Sequence, residues 1–370
     1  MVAATLRFVK KNIVAVIALI LAAVSVFFVP VNKGYLAYFN MNTLLLLFST
    51  MLVIGAFKNI KTFIITARSL IKKMKNTRAL VFSLVFITYI ASIFIANDMA
   101  LLTFLPLTFI VFKTCEKEKY IAFTVIMQTV GANLGGMIMP FGNPQSLYLY
   151  SHYNIPVAEF VRIMAPPFLF SLGVIALVCL FVKKEPAALL NGFDVKLNKP
   201  RFLIYCVFAV IALLSVFRVI NYLIATAIIL AGIFIADKKA YNRVDYSLMI
   251  TFVAFFVFAN NMARLEPVRE FVTRFTDKNA LLAGVISCQL ISNVPSAIFL
   301  SNFTDDYASL LLATNIGGVG TLVASLASLI SLKAFSLEYP NKTKRYTLTF
   351  GIINFAFLTA LTALCYALLY

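Results

Sequence analysis

Four long apolar stretches of this chain are broken near their middle by asparagine or glycine, and this pattern constrains the fold more than any other feature. The breaks are Ala96-Asn97-Asp98-Met99 within 79–112 and Gly131-Ala132-Asn133-Leu134-Gly135-Gly136 within 120–150. Their later counterparts are Ser292-Asn293-Val294-Pro295 within 279–303 and Thr314-Asn315-Ile316-Gly317-Gly318 within 307–332. Each break frees backbone groups that lipid cannot satisfy, so it survives only where it faces protein or a water-filled cavity. That the stretches lie in a membrane follows from composition. The chain is 62% hydrophobic and 12% charged, whereas a soluble domain is about half apolar and a quarter charged. An ordinary soluble enzyme is excluded, and so is disorder, because apolar surface is abundant.

A hydrocarbon core takes about 20 apolar residues per helix. Continuous candidates are 12–30, 41–57, 162–182, 202–217, 220–236, 247–262 and 346–369, with 120–150 and 307–332 as interrupted spans. The first has a basic start like a signal peptide, but it is long enough to span and lacks a small-residue cleavage signature. It is expected to be the first membrane helix. Stretches 79–112 and 279–303 are too long for one helix and are expected to be hairpins that return to their own side.

With the N-terminus inside and both hairpins returning, 25 of the 32 Lys and Arg residues fall in inside segments. They include Arg7, Lys10, Lys11 and the basic runs 58–78, 113–119, 183–201, 238–243 and 333–345. The net charge of +18 then reports positive-inside orientation, and no nucleic-acid partner is expected. A multi-pass protein of a prokaryotic cytoplasmic (inner) membrane, with a cytoplasmic N-terminus and the lipid bilayer as its partner, is the expected setting.

The order of features repeats. The expected division is an N-terminal helix and outer loop (1–41), a first repeat (42–182, hairpin 79–112, broken helix 120–150), a cytoplasmic linker (183–201) and a second repeat (202–370, hairpin 279–303, broken helix 307–332). The first hairpin enters from inside and the second from outside. Such inverted-topology repeats with paired discontinuous helices are characteristic of secondary transporters, whose site lies near the midplane. The fold class expected is therefore an all-α polytopic membrane protein.

Asp98 is the one acidic residue placed inside the membrane. Such residues mark ion or proton paths, although a carboxylate could also cap the helix that follows it. Asn97, Asn133, Asn293 and Asn315 offer carbonyl oxygens to a hard cation and amide donors to an anion. The glycine pairs can expose backbone carbonyls or serve close helix packing. The run Met139-Pro140-Phe141-Gly142-Asn143-Pro144-Gln145-Ser146 makes a continuous helix improbable. Its counterpart, Thr321-Leu322-Val323-Ala324-Ser325, is smaller and less polar. The single His152 reads as a loop or interface residue, and the five scattered cysteines as small buried hydrophobes. Paired carboxylates, metal-spaced His/Cys and nucleophile motifs are absent from the sequence, so no enzyme is expected.

These motifs, Asn97-Asp98-Met99-Ala100, Gly135-Gly136 through Gly142-Asn143-Pro144-Gln145, Ser292-Asn293-Val294-Pro295-Ser296 and Asn315-Ile316-Gly317-Gly318, resemble the ion transporter superfamily. The likeness is to its citrate-transporter-like group, which includes arsenite permeases, NhaD-type antiporters and divalent-anion/sodium symporters. The resemblance runs roughly from residue 42 onward. It implies an elevator-type carrier in which two hairpins and two broken helices move against a scaffold that often dimerises, so a homodimer is expected. Sodium-coupled carboxylate members carry Ser-Asn-Thr at both tips. Here the asparagines carry over, but Asp98 and Val294 replace the threonines, and an aspartate at the tip can carry a proton or complete a cation site.

The candidate substrate- and ion-binding residues are accordingly Asn97, Asp98, Asn133, Gly135, Asn143, Pro144, Ser292, Asn293, Ser296, Thr314, Asn315 and Gly317. A coupling Na⁺ is expected near Asn97, Asp98, Asn133, Asn293 and Asn315, with H⁺ as the other candidate and no further cofactor. The function expected is secondary active transport of a small organic or inorganic anion. The alternative is a cation/proton antiporter without an anion substrate. Substrate identity and charge stay open at this stage.

Overall fold

The computed structural model describes residues 12–187 and 197–370. Arg7, Lys10, Lys11 and the middle of the 183–201 linker lie outside the described residues. The fold is all α-helical, and seven described helices are long and apolar enough to cross a membrane. Helices Ile13–Phe28 and Tyr222–Ala236, both expected as spans, are shorter, at 16 and 15 residues.

Within each stretch expected to be a hairpin, two successive helices pack against each other. The first pairs Thr77–Phe94 with Asn97–Thr114, 18 residues each, so each arm is about 27 Å long and nearly matches the hydrocarbon thickness. Its two feet meet at one acidic residue. The Thr77 N–H donates to the Glu185 carbonyl at 2.9 Å, while Lys117 and Lys119 reach the Glu185 carboxylate at 3.1 and 2.6 Å. The hydrogen bonds from Lys119 and Lys117 hold that carboxyl down to about 2. The second hairpin is shorter. Helix Glu266–Ile291 is kinked at Asn279, where the backbone leaves the helical region, and the Asn279 Oδ1 accepts from the Leu282 N–H to restart the helix. The return arm is Asn293–Leu300, and Thr276 Oγ1 donates to the Phe303 carbonyl across the feet.

The first interrupted helix breaks later than Gly131 and Asn133 suggest, whereas the second breaks at its Gly317-Gly318 pair. Helix Ile121–Gly135 runs through Gly131 and Asn133; the break is 136–143, and Pro144–His152 follows with proline at its start. Helix Tyr307–Ile316 likewise carries Asn315 within it, breaks over 317–325, and resumes as Leu326–Glu338. The reason is packing. A Cβ at Gly135 would run into the Tyr89 carbonyl oxygen of the first hairpin, and one at Gly317 would meet Cys288 of the second. Gly135 lets the end of the first helix lie against its hairpin arm, and Gly317 makes the same close contact at the point where the second helix stops.

Buried polar side chains fasten the helices where no water competes. Gln128 donates to Thr88 and Leu84 and accepts from Thr108, tying the first broken helix to both hairpin arms. Asn261 joins Ser25, Tyr35 and Tyr38, and Ser49 bonds Thr226. Each such bond contributes about 0.6 kcal/mol within a membrane. Helix Ile13–Phe28 packs along Tyr246–Ala263, and Tyr222–Ala236 along Met41–Asn59, so early and late parts of the chain exchange partners.

Candidate functional site

The breaks and hairpin tips converge on one buried cluster of amides. At the first tip, Asn97 opens a helix, accepts from the Asp98 N–H at 2.9 Å, and donates from Nδ2 to the Asn133 Oδ1 at 2.8 Å. At the second, Asn293 accepts in the same way from Val294, at 2.9 Å. There the backbone makes the connection: Asn293 N–H and Ser292 Oγ both donate to the Ala324 carbonyl, at 2.9 and 3.3 Å.

Between the broken helices the bonding is crosswise. Asn133 Nδ2 donates to Ser325 Oγ at 3.0 Å and to the Gly318 carbonyl at 3.1 Å. Asn143 Nδ2 donates to the Asn315 Oδ1 and to the Asn133 carbonyl, both at 3.1 Å. Asn143 and Ser325 occupy equivalent positions, each the last residue before its second half-helix. Each mid-helix asparagine is therefore held by the residue that precedes the other's second half. Gln145 and Ser146 add two donors to Asn315 Oδ1, at 3.3 and 2.9 Å. Asn133 is 2% exposed and Asn315 fully buried, so these bonds form away from water, where losing one is costly.

Four helices begin at the cluster, at Asn97, Pro144, Asn293 and Leu326, and their N-terminal partial charges favour an anion. Against that stand three buried acceptors without a hydrogen-bond donor: Asp98 Oδ1, Asn143 Oδ1 and Gln145 Oε1. The Asn143 amide nitrogen is committed to two oxygens, so flipping the group would not relieve its Oδ1. Oxygen ligands without donors suit a hard cation or a proton. Among the described residues no group of three His, Cys, Asp or Glu could hold a metal, and no lysine or arginine bonds into the cluster. No hydrogen bond from the Asp98 Oδ1 caps the helix that begins at Asn97.

The other sequence candidates have local tasks. Thr314 Oγ1 bonds back to Leu310 on its own helix, Ser296 pairs with Ser287 between the arms of the second hairpin, Pro144 starts a half-helix, and Gly135 and Gly317 are contact points. Gln145, Ser146, Gly318 and Ser325 belong to the cluster but were not among the candidates. Ser325 had a signal, standing immediately before an apolar run as an N-cap does; Gln145 and Ser146 had only their place in the proline-rich run.

A largely apolar cavity of about 280 Å³ adjoins the first tip, between Phe94, Ile95 and Phe141 on one side and Thr50, Phe57 and Cys206 on the other.

A family model described as citrate transporter matches residues 1–312. An uncharacterized transporter of Methanocaldococcus jannaschii is 30% identical over 322 residues, spanning 87% of this chain and 88% of that protein. The inner membrane protein YbiR of Escherichia coli K12 is 28% identical over 312 residues, 83% of each chain. The crystal structure of the YdaH transporter of Alcanivorax borkumensis superposes with a TM-score of 0.53 at 13% identity, covering 98% of this chain and 97% of that one. At that identity the likeness is one of fold.

Proposed function

Because the chain belongs to the citrate transporter family and is a membrane transporter, not an enzyme, we propose that it is a secondary active carrier of a small carboxylate or oxyanion, coupled to protons or sodium. The observation that carries this reading is the amide cluster. It offers four helix N-termini to an anion and two donorless oxygens, on Asn143 and Gln145, to a coupling cation, with a third on Asp98, next to Asn97 in the chain. Moving one such charge through 100 mV supplies about 2.3 kcal/mol, enough to concentrate a solute about fifty-fold. The cation ligands would come from Asn97, Asp98, Asn133, Asn293 and Asn315, with Asn143 and Gln145 now added.

The repeats, 42–182 and 202–370, would be related by inversion. In support, the first hairpin has its feet at the Glu185 end and the second at the Phe303 end, and the basic segments 113–119 and 183–185 gather at the former. An elevator mechanism follows, in which 77–187 and 279–370 slide as one body against 13–59 and 199–263. The bonds at Gln128, Glu185 and the amide cluster lie inside the first body, and those at Asn261 and Ser49 inside the second. Side-chain hydrogen bonds between the two bodies gather at 150–154. Arg218 donates to the Tyr150 and Asn154 carbonyls, Tyr150 OH to the Val216 carbonyl, and Asn42 to Ser151.

The test is uptake of labelled citrate into proteoliposomes under an imposed pH or Na⁺ gradient. Gradient-driven accumulation supports the carrier reading; its absence with citrate, phosphate and arsenite alike would overturn it. A second reading, cation/proton antiport, is favoured by the lack of any lysine or arginine in the cluster. It predicts that Na⁺ alone collapses a pH gradient in the same vesicles.

A further inference from the structure

The two break loops are shaped by different means, and the difference identifies a residue outside the amide cluster that sets its geometry. The first loop folds on itself: Gly136 and Gly142 lie so close that a Cβ on either would strike the other's backbone or its neighbour Asn143. The second loop has no such internal contact. It is held from outside by Gln289, on the first arm of the second hairpin. The Gln289 Nε2 donates to the Gly317 and Val319 carbonyls at 2.9 and 3.2 Å. Its Oε1 accepts from the Thr321 N–H at 2.8 Å, and the Thr321 hydroxyl returns a bond to the Gln289 carbonyl at 3.1 Å. The side chain thus adds to the loop's few backbone bonds, Val319 N–H to the Ile316 carbonyl and Ala324 N–H to the Thr321 carbonyl, by satisfying backbone groups that those turns leave over. Gly320, at φ +121°, lies so near that a Cβ there would meet Gln289 Oε1; that backbone conformation favours glycine.

We propose that Gln289 is a positioning residue for the transport site. It locks the second break loop to the second hairpin, so that the Gly318 carbonyl stays where Asn133 bonds it and the loop travels with the hairpin tip. The inference rests on the transport reading above for its functional consequence but not for the lock itself. Glutamine suits the task because one side chain must both donate to two carbonyls and accept from an amide. Glutamate keeps the acceptor and loses the donors; leucine loses both at similar size.

The test uses the full chain in nanodiscs and proteoliposomes, comparing wild type, Gln289→Glu and Gln289→Leu. Amide hydrogen exchange over 317–325 is expected to rise at least tenfold in Gln289→Leu and less in Gln289→Glu, with 136–143 unchanged and the melting temperature within a few degrees. With citrate as the probe, KM should rise at least tenfold in Gln289→Leu while kcat changes less than threefold. Unchanged exchange at 317–325 overturns the lock. Faster exchange with unaltered KM overturns the positioning role. If wild type takes up no citrate, the citrate form of the transport reading fails, while exchange still decides the lock and KM is then read for Na⁺ in the pH-gradient assay.

Discussion

The two hairpin tips present the same asparagine in the same local bond, yet they are built for different work. The first tip has ordinary backbone, with Ala96 at φ −50° and ψ 141°, touches the amide cluster through the Asn97 side chain, and carries the Asp98 carboxylate. The second is neutral, holds Ser292 at φ +77° and ψ 156°, and joins the second break loop through backbone and hydroxyl bonds to Ala324. That Ser292 conformation lies in a region nearly reserved for glycine, at a cost of about 1–3 kcal/mol. The matched asparagines thus lie where the halves meet, and the tips differ in chemistry: a carboxylate on one side, a strained and backbone-locked turn on the other.

The strongest way to break this comparison is to remove the two equivalent asparagines singly. Asn315→Ala deprives three donors of their acceptor, and Asn133→Ala strips bonds from Asn97, Gly318 and Ser325. Buried polar groups left unpaired cost about 1–3 kcal/mol each, so both variants should lose about 3 kcal/mol or more in reversible unfolding, within about 1 kcal/mol of each other. A wide gap between them would mean that the halves do not share the load.

Arg218→Ala should have the next largest effect, on the balance between transport states. Its bonds to Tyr150 and Asn154 carry a full charge but lie partly in solvent, which holds them to about 1 kcal/mol each, and its guanidinium lies 4.4 Å from the Tyr150 ring centre. Spin labels at Leu36 and Asp305, one on each body, are expected to show a second distance population in the variant that is minor in wild type. An unaltered distribution would show that the contact latches nothing. The smallest change expected is at the tips. Ser292→Gly should raise stability by about 1 kcal/mol, the relieved strain being partly offset by the lost hydroxyl bond, whereas Ala96→Gly should lower it by up to about 1 kcal/mol. Equal shifts in thermal melting would remove the distinction between the tips.

Much of this architecture is legible in the sequence because a membrane penalises unpaired backbone so heavily that a polar break must have a purpose. Asn97, Asn133, Asn293 and Asn315 stood out for that reason, and all four lie at the cluster or at its connecting tips. The second break point, at Gly317-Gly318, was legible, but the first was not, since Gly131 and Gly135 serve helix-to-hairpin contact, which looks in sequence like interruption. Nor was the crosswise bonding, because Asn133 meets Ser325 only after the halves interlock. Gln145, Ser146 and Gln289 are polar residues of ordinary helical spacing. Only their partners across the fold, Asn315 and the 317–321 loop, reveal what they do.

Coupling of the proposed carrier to its driving ion would run through the Asp98 carboxylate at the first tip. It is tested most directly in proteoliposomes holding wild type or Asp98→Asn, with citrate uptake and Na⁺-elicited collapse of a pH gradient measured in the same preparation. Whichever gradient-linked activity wild type shows is expected to fall at least a hundredfold in Asp98→Asn, while the variant inserts and melts like wild type. Gradient-linked activity of wild-type magnitude in a folded Asp98→Asn protein would contradict it.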